Sequence, residues 1–284
     1  MSARGWALFA AVSVLWGIPY LFIKVAVDDL SPGFVAWARL AIATLALAPF
    51  ALRARAVRGM PVGPVLAFAI VEMVIPWPLI GFGEQRVTSS LAAILIATVP
   101  LLVVLITVAT GASERPTGRQ LAGIGVGLLG VVGLVGVDVS GTARELAGVG
   151  ALMVAALGYA AGAIIVDRSL GGRDPLGLIA GASLTGTVAL APVAIARWPS
   201  EAPPTDAVAS VAVLGLVCSA VAFLLFVKLV EEAGPTRATL ITYVNPVVAL
   251  ALGAVVLGES LTVAAAGGLV LILAGSRLAT LRHA

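Results

Sequence analysis

Apolar stretches of membrane-crossing length, about 20 residues each, recur along the whole chain and are separated by short polar connections. They predict spans near 5–27, 32–52, 62–83, 88–110, 118–137, 145–166, 175–196, 207–230, 235–257 and 262–281. Stretches this long cross the hydrocarbon core of a bilayer as α-helices, whereas buried helices of soluble proteins need only one apolar stripe. Connections of about 4 to 12 residues leave no room for a second soluble domain. Helix punctuation agrees with these bounds: Ser31-Pro32 sets a capping hydroxyl before a first-turn proline, and Asp174-Pro175 and Gly234-Pro235 place proline where a missing N–H costs least. The predicted fold class is an all-α integral membrane protein of ten transmembrane helices.

Composition then removes whole classes of chemistry. Of 284 residues 61% are apolar and 11% charged, against about 25% charged in soluble domains. Cys218 is the one cysteine and His283 the one histidine. Disulfide frameworks, CxxC sites, Ser-His pairs and histidine metal sites therefore lack their parts, and no cofactor, metal or catalytic residue is expected. Lys24 and Lys228 are the only lysines and neither follows a phosphate-binding loop, so solute movement would run on gradients rather than on ATP. The literal GxGxxG at Gly125–Gly130 follows no strand and is refused as a dinucleotide site. Gly123, Gly127 and Gly130 instead share a helix face, as Ala264 and Gly268 do, which suits close packing on a neighbouring helix or across a dimer.

Charge placement sets direction. Ten crossings put both termini on one side, and that side collects Arg4, Arg53, Arg55, Arg58, Arg115, Arg119, Arg168, Arg173, Arg237, Arg277 and Arg282. The other side holds mainly Arg86, Arg144 and Arg197, so the termini are expected in the cytoplasm. The net charge of +3 reports this orientation and not a nucleic-acid partner. The first apolar stretch is longer than a signal-peptide core and reads as a retained helix. Of 17 basic residues only two are lysine, which hints at a GC-rich bacterial genome and an inner-membrane location.

The chain also repeats itself. Ala92, Pro100, Glu114, Thr117, Gly123 and Gly130 recur in order as Ala238, Pro246, Glu259, Thr262, Gly268 and Gly275, at an offset of 146 up to the prolines and 145 afterwards. Trp16-Gly17 faces Ala161-Gly162, and Pro32 and Pro49 face Pro175 and Pro192. An ordered set at nearly constant offset predicts two units, residues 1–138 and 139–284. Five helices per unit is an odd number, so the second unit crosses the membrane in the opposite sense. Inverted repeats of this kind are built around a site near the bilayer midplane, as in secondary transporters.

Trp16-Gly17 with Lys24 in the first helix, and in each half a proline-containing helix followed by an acidic loop (Ser113-Glu114, Gly258-Glu259), resemble the EamA branch of the drug/metabolite transporter superfamily. The resemblance covers essentially the whole chain. It implies an exporter of amino acids or related metabolites, of the YddG type, with a central cavity lined chiefly by helices 3, 4, 8 and 9 and parts of 1 and 6.

Several residues could carry such work. Glu72 falls midway along span 3, where charge is costly, and its duplicate is the neutral Cys218. Pro76 and Pro78 free the carbonyls of Glu72 and Val74, with Trp77 between them. That combination reads as a polar substrate site whose carboxyl could carry a proton, or as a structural acid paired with Arg39 or capped by hydroxyls. Ser13, Trp16, Tyr20 and Lys24 share one face of span 1, beside the break at Pro19, and read as a cavity wall or as interfacial anchors. Thr239, Thr242, Tyr243 and Asn245, with Pro246, make span 9 too polar to face lipid throughout. Tyr159 and Thr98, with Pro100, complete the set. Pro19, Pro76, Pro78, Pro100 and Pro246 are the candidate hinges. Arg39 reads as structural, paired with Glu84 or Asp28 near the surface.

The leading expectation is a secondary transporter of a small amphipathic or zwitterionic solute, held in lipid as a monomer or homodimer. A phosphate-ester or nucleotide-sugar antiporter would want paired deep cations, and Lys24, Arg39 and Lys228 look peripheral. A channel lacks a filter motif, an intramembrane enzyme would rest on Glu72 alone, and a scaffold would not explain the duplication.

Overall fold

The computed structural model describes residues 1–110, 117–138 and 141–280. Ser113, Glu114, Arg115, Arg282 and His283 lie outside the described residues. Ten helices are long and apolar enough to cross a membrane: Ala3–Asp29, Pro32–Arg53, Val62–Glu84, Ser89–Ala109, Gly118–Gly136, Ala143–Leu170, Pro175–Ala196, Thr205–Ala233, Thr239–Val256 and Val263–Thr280, numbered here spans 1 to 10. No β-strand occurs among the described residues.

The predicted helix starts form as the residue types require. Ser31 Oγ accepts from the Phe34 N–H at 3.3 Å ahead of Pro32, and Asp174 Oδ1 accepts from the Leu176 N–H at 2.9 Å ahead of Pro175. Such caps contribute about 1 kcal/mol each by satisfying an orphan donor. Gly234 ends span 8 at φ +81°, a backbone conformation open to glycine, and the next helix starts at Pro235.

Breaks within spans follow the prolines. Span 1 is interrupted between Gly17 and Pro19, and span 4 between Ile96 and Val99. Span 3 loosens into a π-turn over Ile70–Val74, with the Ile75 N–H reaching the Ile70 carbonyl at 3.0 Å, because Pro76 cannot supply the next regular bond. Span 8 carries a π-turn over Leu216–Val221, at the position that the repeat offset pairs with the first. Span 9, expected as one run from 235, is instead an α-turn Pro235–Ala238, a 3-10 stretch Thr239–Tyr243 and a helix Asn245–Val256.

Packing pairs equivalent helices. Span 5 lies along span 10, span 2 along span 7 and span 4 along span 9, while span 3 meets span 6 and span 8 meets span 1. Span 5 reaches span 10 closely because both contact faces are glycine: a Cβ on Gly275 would stand 2.5 Å from the Gly127 nitrogen and 2.6 Å from the Gly123 oxygen. The glycine face read from the sequence is thus spent inside the chain.

The core is uneven along the membrane normal. At the end of the bundle away from the termini, here the distal end, Val27, Leu30, Val35, Ile80, Val87, Leu91, Leu95, Leu152 and Val211 join one cluster across spans 1, 2, 3, 4, 6 and 8, which continues along spans 5 and 10 through Ile124, Ile272 and Ala279. At the terminal end the packing divides. Leu47, Val65, Phe68, Leu178 and Ile179 form one cluster of spans 2, 3 and 7, and Val12, Leu229, Ala238 and Ile241 form another of spans 1, 8 and 9. Leu45, Ile195, Val255 and Val263 are 74% to 90% exposed, which is reasonable only toward lipid.

Candidate functional site

Arg39 is the hub of the interior. It lies seven residues into span 2, about 10 Å along the axis, and is 9% exposed. Its guanidinium carbon sits 3.8 Å from the centroid of the Trp77 ring on span 3, and its Nε donates to Ser219 Oγ on span 8 at 2.9 Å. Ser219 Oγ in turn donates to the Leu214 carbonyl at 2.9 Å, within the π-turn region of its span. Tyr20 of span 1, Tyr159 of span 6, Cys218 of span 8 and Glu84 of span 3 all lie within electrostatic reach of the guanidinium. Four spans therefore present polar or aromatic groups to one buried cation on a fifth.

The expected pairing of Arg39 with Glu84 or Asp28 does not form. Helical rise fixes how deep a residue lies but not which way it turns, and Arg39 turns inward onto Trp77 instead of snorkelling outward. Asp28 is exposed, and both Glu84 carboxyl oxygens, although the residue is 0% exposed, accept no hydrogen bond from a described residue. Lys24 donates to the main-chain carbonyls of Glu84 at 2.5 Å and Val87 at 3.4 Å, satisfying orphan acceptors where span 3 ends.

Glu72 sits in the π-turn of span 3 and is partly buried. It points at span 6: a Cβ on Gly162 would overlap its Oε2, and one on Gly158 would stand 2.5 Å from the Val71 carbonyl oxygen. Tyr159, next to Gly158 and three residues before Gly162, lies within electrostatic reach of Glu72 and of Arg39 and touches Trp77. It also packs against both the distal cluster and the cluster of spans 2, 3 and 7. Glu72 accepts no hydrogen bond from a described residue and forms no ion pair with Arg39.

Glu72, Trp77, Tyr20 and Tyr159 of the sequence reading thus gather around Arg39 or its immediate neighbours. Trp16 turns to span 8, with ring centroids 5.4 Å from Phe223 and 4.9 Å from Phe226. Asn245 binds span 9 to span 1 once its side-chain amide is turned so that both groups are satisfied: the nitrogen then donates to the Ile241 carbonyl at 2.9 Å and the Ser13 carbonyl at 3.0 Å. Tyr243 lines a groove of about 250 Å³ with Leu273, Ala274 and Arg277, its hydroxyl 3.3 Å from Thr280 Oγ1 at the terminal end of span 10. Thr239 is exposed near the terminal end. Pro19, Pro76, Pro100 and Pro246 each stand in the first two residues of a restarted segment, and Pro78 stands in the first turn after Pro76.

Ser219 was not singled out by sequence, and Arg39 was read there as structural and not as a site residue. A signal existed: the offset of 143 that pairs Pro32 with Pro175 and Pro49 with Pro192 pairs Arg39 with Ala182, so Arg39 is as unduplicated as Glu72.

A sequence model of the EamA-like transporter family matches residues 3–136 and again 146–281. The uncharacterized inner membrane transporter YedA of Escherichia coli K12 is 30% identical over 267 residues, covering 90% of this chain and 83% of that protein. A probable terminal-alkyne amino-acid exporter of Streptantibioticus cattleyicolor is 30% identical over 266 residues, 91% of this chain and 87% of its own length. A probable amino-acid metabolite efflux pump of Escherichia coli K12 is 23% identical over 285 residues, 97% and 94% of the two chains. A crystal structure at 20% identity superposes with a TM-score of 0.69 over 99% of this chain and 98% of the other, a likeness of fold.

Proposed function

The chain belongs to the EamA-like transporter family, a multi-pass membrane protein handling a small-molecule substrate, and we propose that it exports amino acids or close relatives across a bacterial inner membrane. The observation that carries the substrate class is the convergence of Arg39, Trp77, Tyr20, Tyr159 and, across Tyr159, Glu72 inside a lipid-facing bundle. Apolar and aromatic faces beside one acid and one base suit a small zwitterion with an apolar side chain. Intramembrane ionisable groups are costly, and function is their ordinary justification. The named exporters among the relatives agree with this class.

Alternating access of two inverted five-helix halves, 1–138 and 139–284, is the mechanism we assign. It is supported by the separate match of each half to the family model, by the pairing of spans 2 with 7, 4 with 9 and 5 with 10, and by the twin π-turns. Arginine placement supports termini in the cytoplasm. With that orientation, the separation of the cluster of spans 2, 3 and 7 from that of spans 1, 8 and 9 near the terminal end supports a state closed toward the outside.

Liposomes containing the purified protein and loaded with an amino-acid panel test the reading. Saturable uptake accelerated by internal substrate supports it. Unsaturable flux would make the protein a channel, and no flux of any amino acid would remove the substrate class.

A further inference from the structure

Arg39 holds more hydrogen-bonding capacity than the protein uses. A guanidinium carries five N–H donors, and Arg39 commits one, the Nε–H to Ser219 Oγ. Its two terminal nitrogens donate to no described residue, and no described acid is ion-paired with it. Glu84, its acidic neighbour, accepts no hydrogen bond from a described residue at either oxygen. A cation held this deep with four donors open is expensive unless something else completes it.

Its geometry is fixed for a planar partner. The Trp77 ring lies against the guanidinium at 3.8 Å, and Ser219, itself anchored on the Leu214 carbonyl, holds the Nε edge. That leaves the end bearing the two terminal nitrogens, the fork that carboxylates engage with two parallel bonds. The opposite charge, Glu72, stands across Tyr159, which is within electrostatic reach of both. Neither charge has a counterpart in the other half, where Ala182 and Cys218 stand instead.

We propose that Arg39 is the carboxylate-binding residue of the transport site, so that the substrate is a zwitterion with its carboxylate on Arg39 and its ammonium toward Glu72. The inference rests on the transport reading above and makes it specific: a free carboxylate is required, and amides, amines and phosphate esters are poor substrates. Trp77 and Ser219 act as positioning residues for the guanidinium.

The test compares leucine, phenylalanine and threonine with their carboxamides as competitors and as exchange substrates in proteoliposomes. Wild-type protein should exchange the amino acids and discriminate against the carboxamides by about 10- to 100-fold, the range of a charge-assisted pair. Arg39→Gln should erase that discrimination by lowering amino-acid exchange and leaving the carboxamides unchanged, and Arg39→Lys should restore part of it. Ser219→Ala should raise the KM for amino acids more than it lowers the maximal rate. Equal use of carboxamides by wild type, or full discrimination retained in Arg39→Gln, overturns the inference while leaving a transporter. Absence of exchange for every compound overturns the transport reading itself. Should Arg39→Gln not fold, competition on wild type together with Ser219→Ala still decides: carboxamides competing as well as amino acids overturn the inference.

Discussion

Glu259 closes onto Ser90 across the distal end of the bundle. Its carboxylate accepts from the Ser90 hydroxyl at 2.5 Å and from the main-chain N–H groups of Ser90 and Ser89 at 3.0 and 2.7 Å. A negative group thereby meets the first turn of span 4, where free N–H donors and the helix dipole favour it. The connection between spans 9 and 10 is pinned to span 4 beside Val87 and Leu91, which belong to the continuous distal cluster.

Removing that carboxylate should loosen the distal end. Glu259→Ala is expected to speed amide hydrogen exchange at Ser89–Ala92 and to lower the melting temperature in detergent by a few degrees, since each charge-assisted bond contributes about 1.5–3 kcal/mol. Glu259→Gln keeps an acceptor oxygen and should fall between the two. Unchanged exchange at those four residues in Glu259→Ala would remove the clasp.

The glycines of spans 5 and 10 separate into two kinds. A Cβ on Gly275 meets main-chain atoms of span 5 at 2.5 and 2.6 Å, whereas one on Gly133 meets nothing within 4 Å. Gly275→Ala should cost about 1–3 kcal/mol, as overpacking against unyielding backbone does. Gly133→Ala should be neutral or gain up to about 1 kcal/mol of helix propensity. Melting temperatures of the two variants measured side by side give the sign directly.

What the sequence reveals here depends on what a pattern encodes. Ten spans were readable because twenty apolar residues have few alternatives in water, and the breaks at Pro19, Pro76 and Pro100 because a missing N–H acts locally. Orientation about a helix axis is different, since neighbours set it. Trp16 and Tyr20 share one face in the sequence, yet the break at Pro19 separates them: Trp16 packs with Phe223 and Phe226, and Tyr20 joins the distal cluster. Tyr243 turns to Thr280 because the 3-10 stretch Thr239–Tyr243 re-phases span 9 before Asn245. Glu259 was visible only as a repeat marker, for its partners lie 169 and 170 residues away.

Gly158 and Gly162, one turn apart on span 6, should give opposite phenotypes. A Cβ on Gly158 meets the Val71 carbonyl, which is main chain and cannot yield, so Gly158→Ala should destabilise the fold. At Gly162 the obstacle is the end of the flexible Glu72 side chain, so Gly162→Ala should fold normally and displace the carboxyl. Transport should fall in Gly162→Ala at an unchanged melting temperature. Adding Glu72→Gln should cost less in that background than alone, because the two changes strike one group. Full additivity in transport rate would separate Gly162 from Glu72.

Glu72→Gln tests the coupling step. One carboxylate that takes either a proton or the substrate ammonium, and not both at once, makes the two compete for the same site. In an alternating-access protein that competition would itself drive exchange: substrate loading from the cytoplasm would displace the proton there, and a proton entering from outside would displace the substrate outward and ride the return. Glutamine keeps the shape and a carbonyl oxygen but binds no proton in this range. Glu72→Gln should therefore raise the KM for amino acids, and its remaining flux should be the same with and without an imposed pH gradient. Wild type should accumulate substrate in proportion to the gradient. Measured in one liposome preparation, the ratio of accumulation with the gradient to accumulation without it should fall to about one in the variant while the wild-type ratio stays well above it. A Glu72→Gln protein that retains the wild-type ratio would place the proton on another group, and the buried, unpaired carboxyl of Glu84 would be the next to exchange for glutamine.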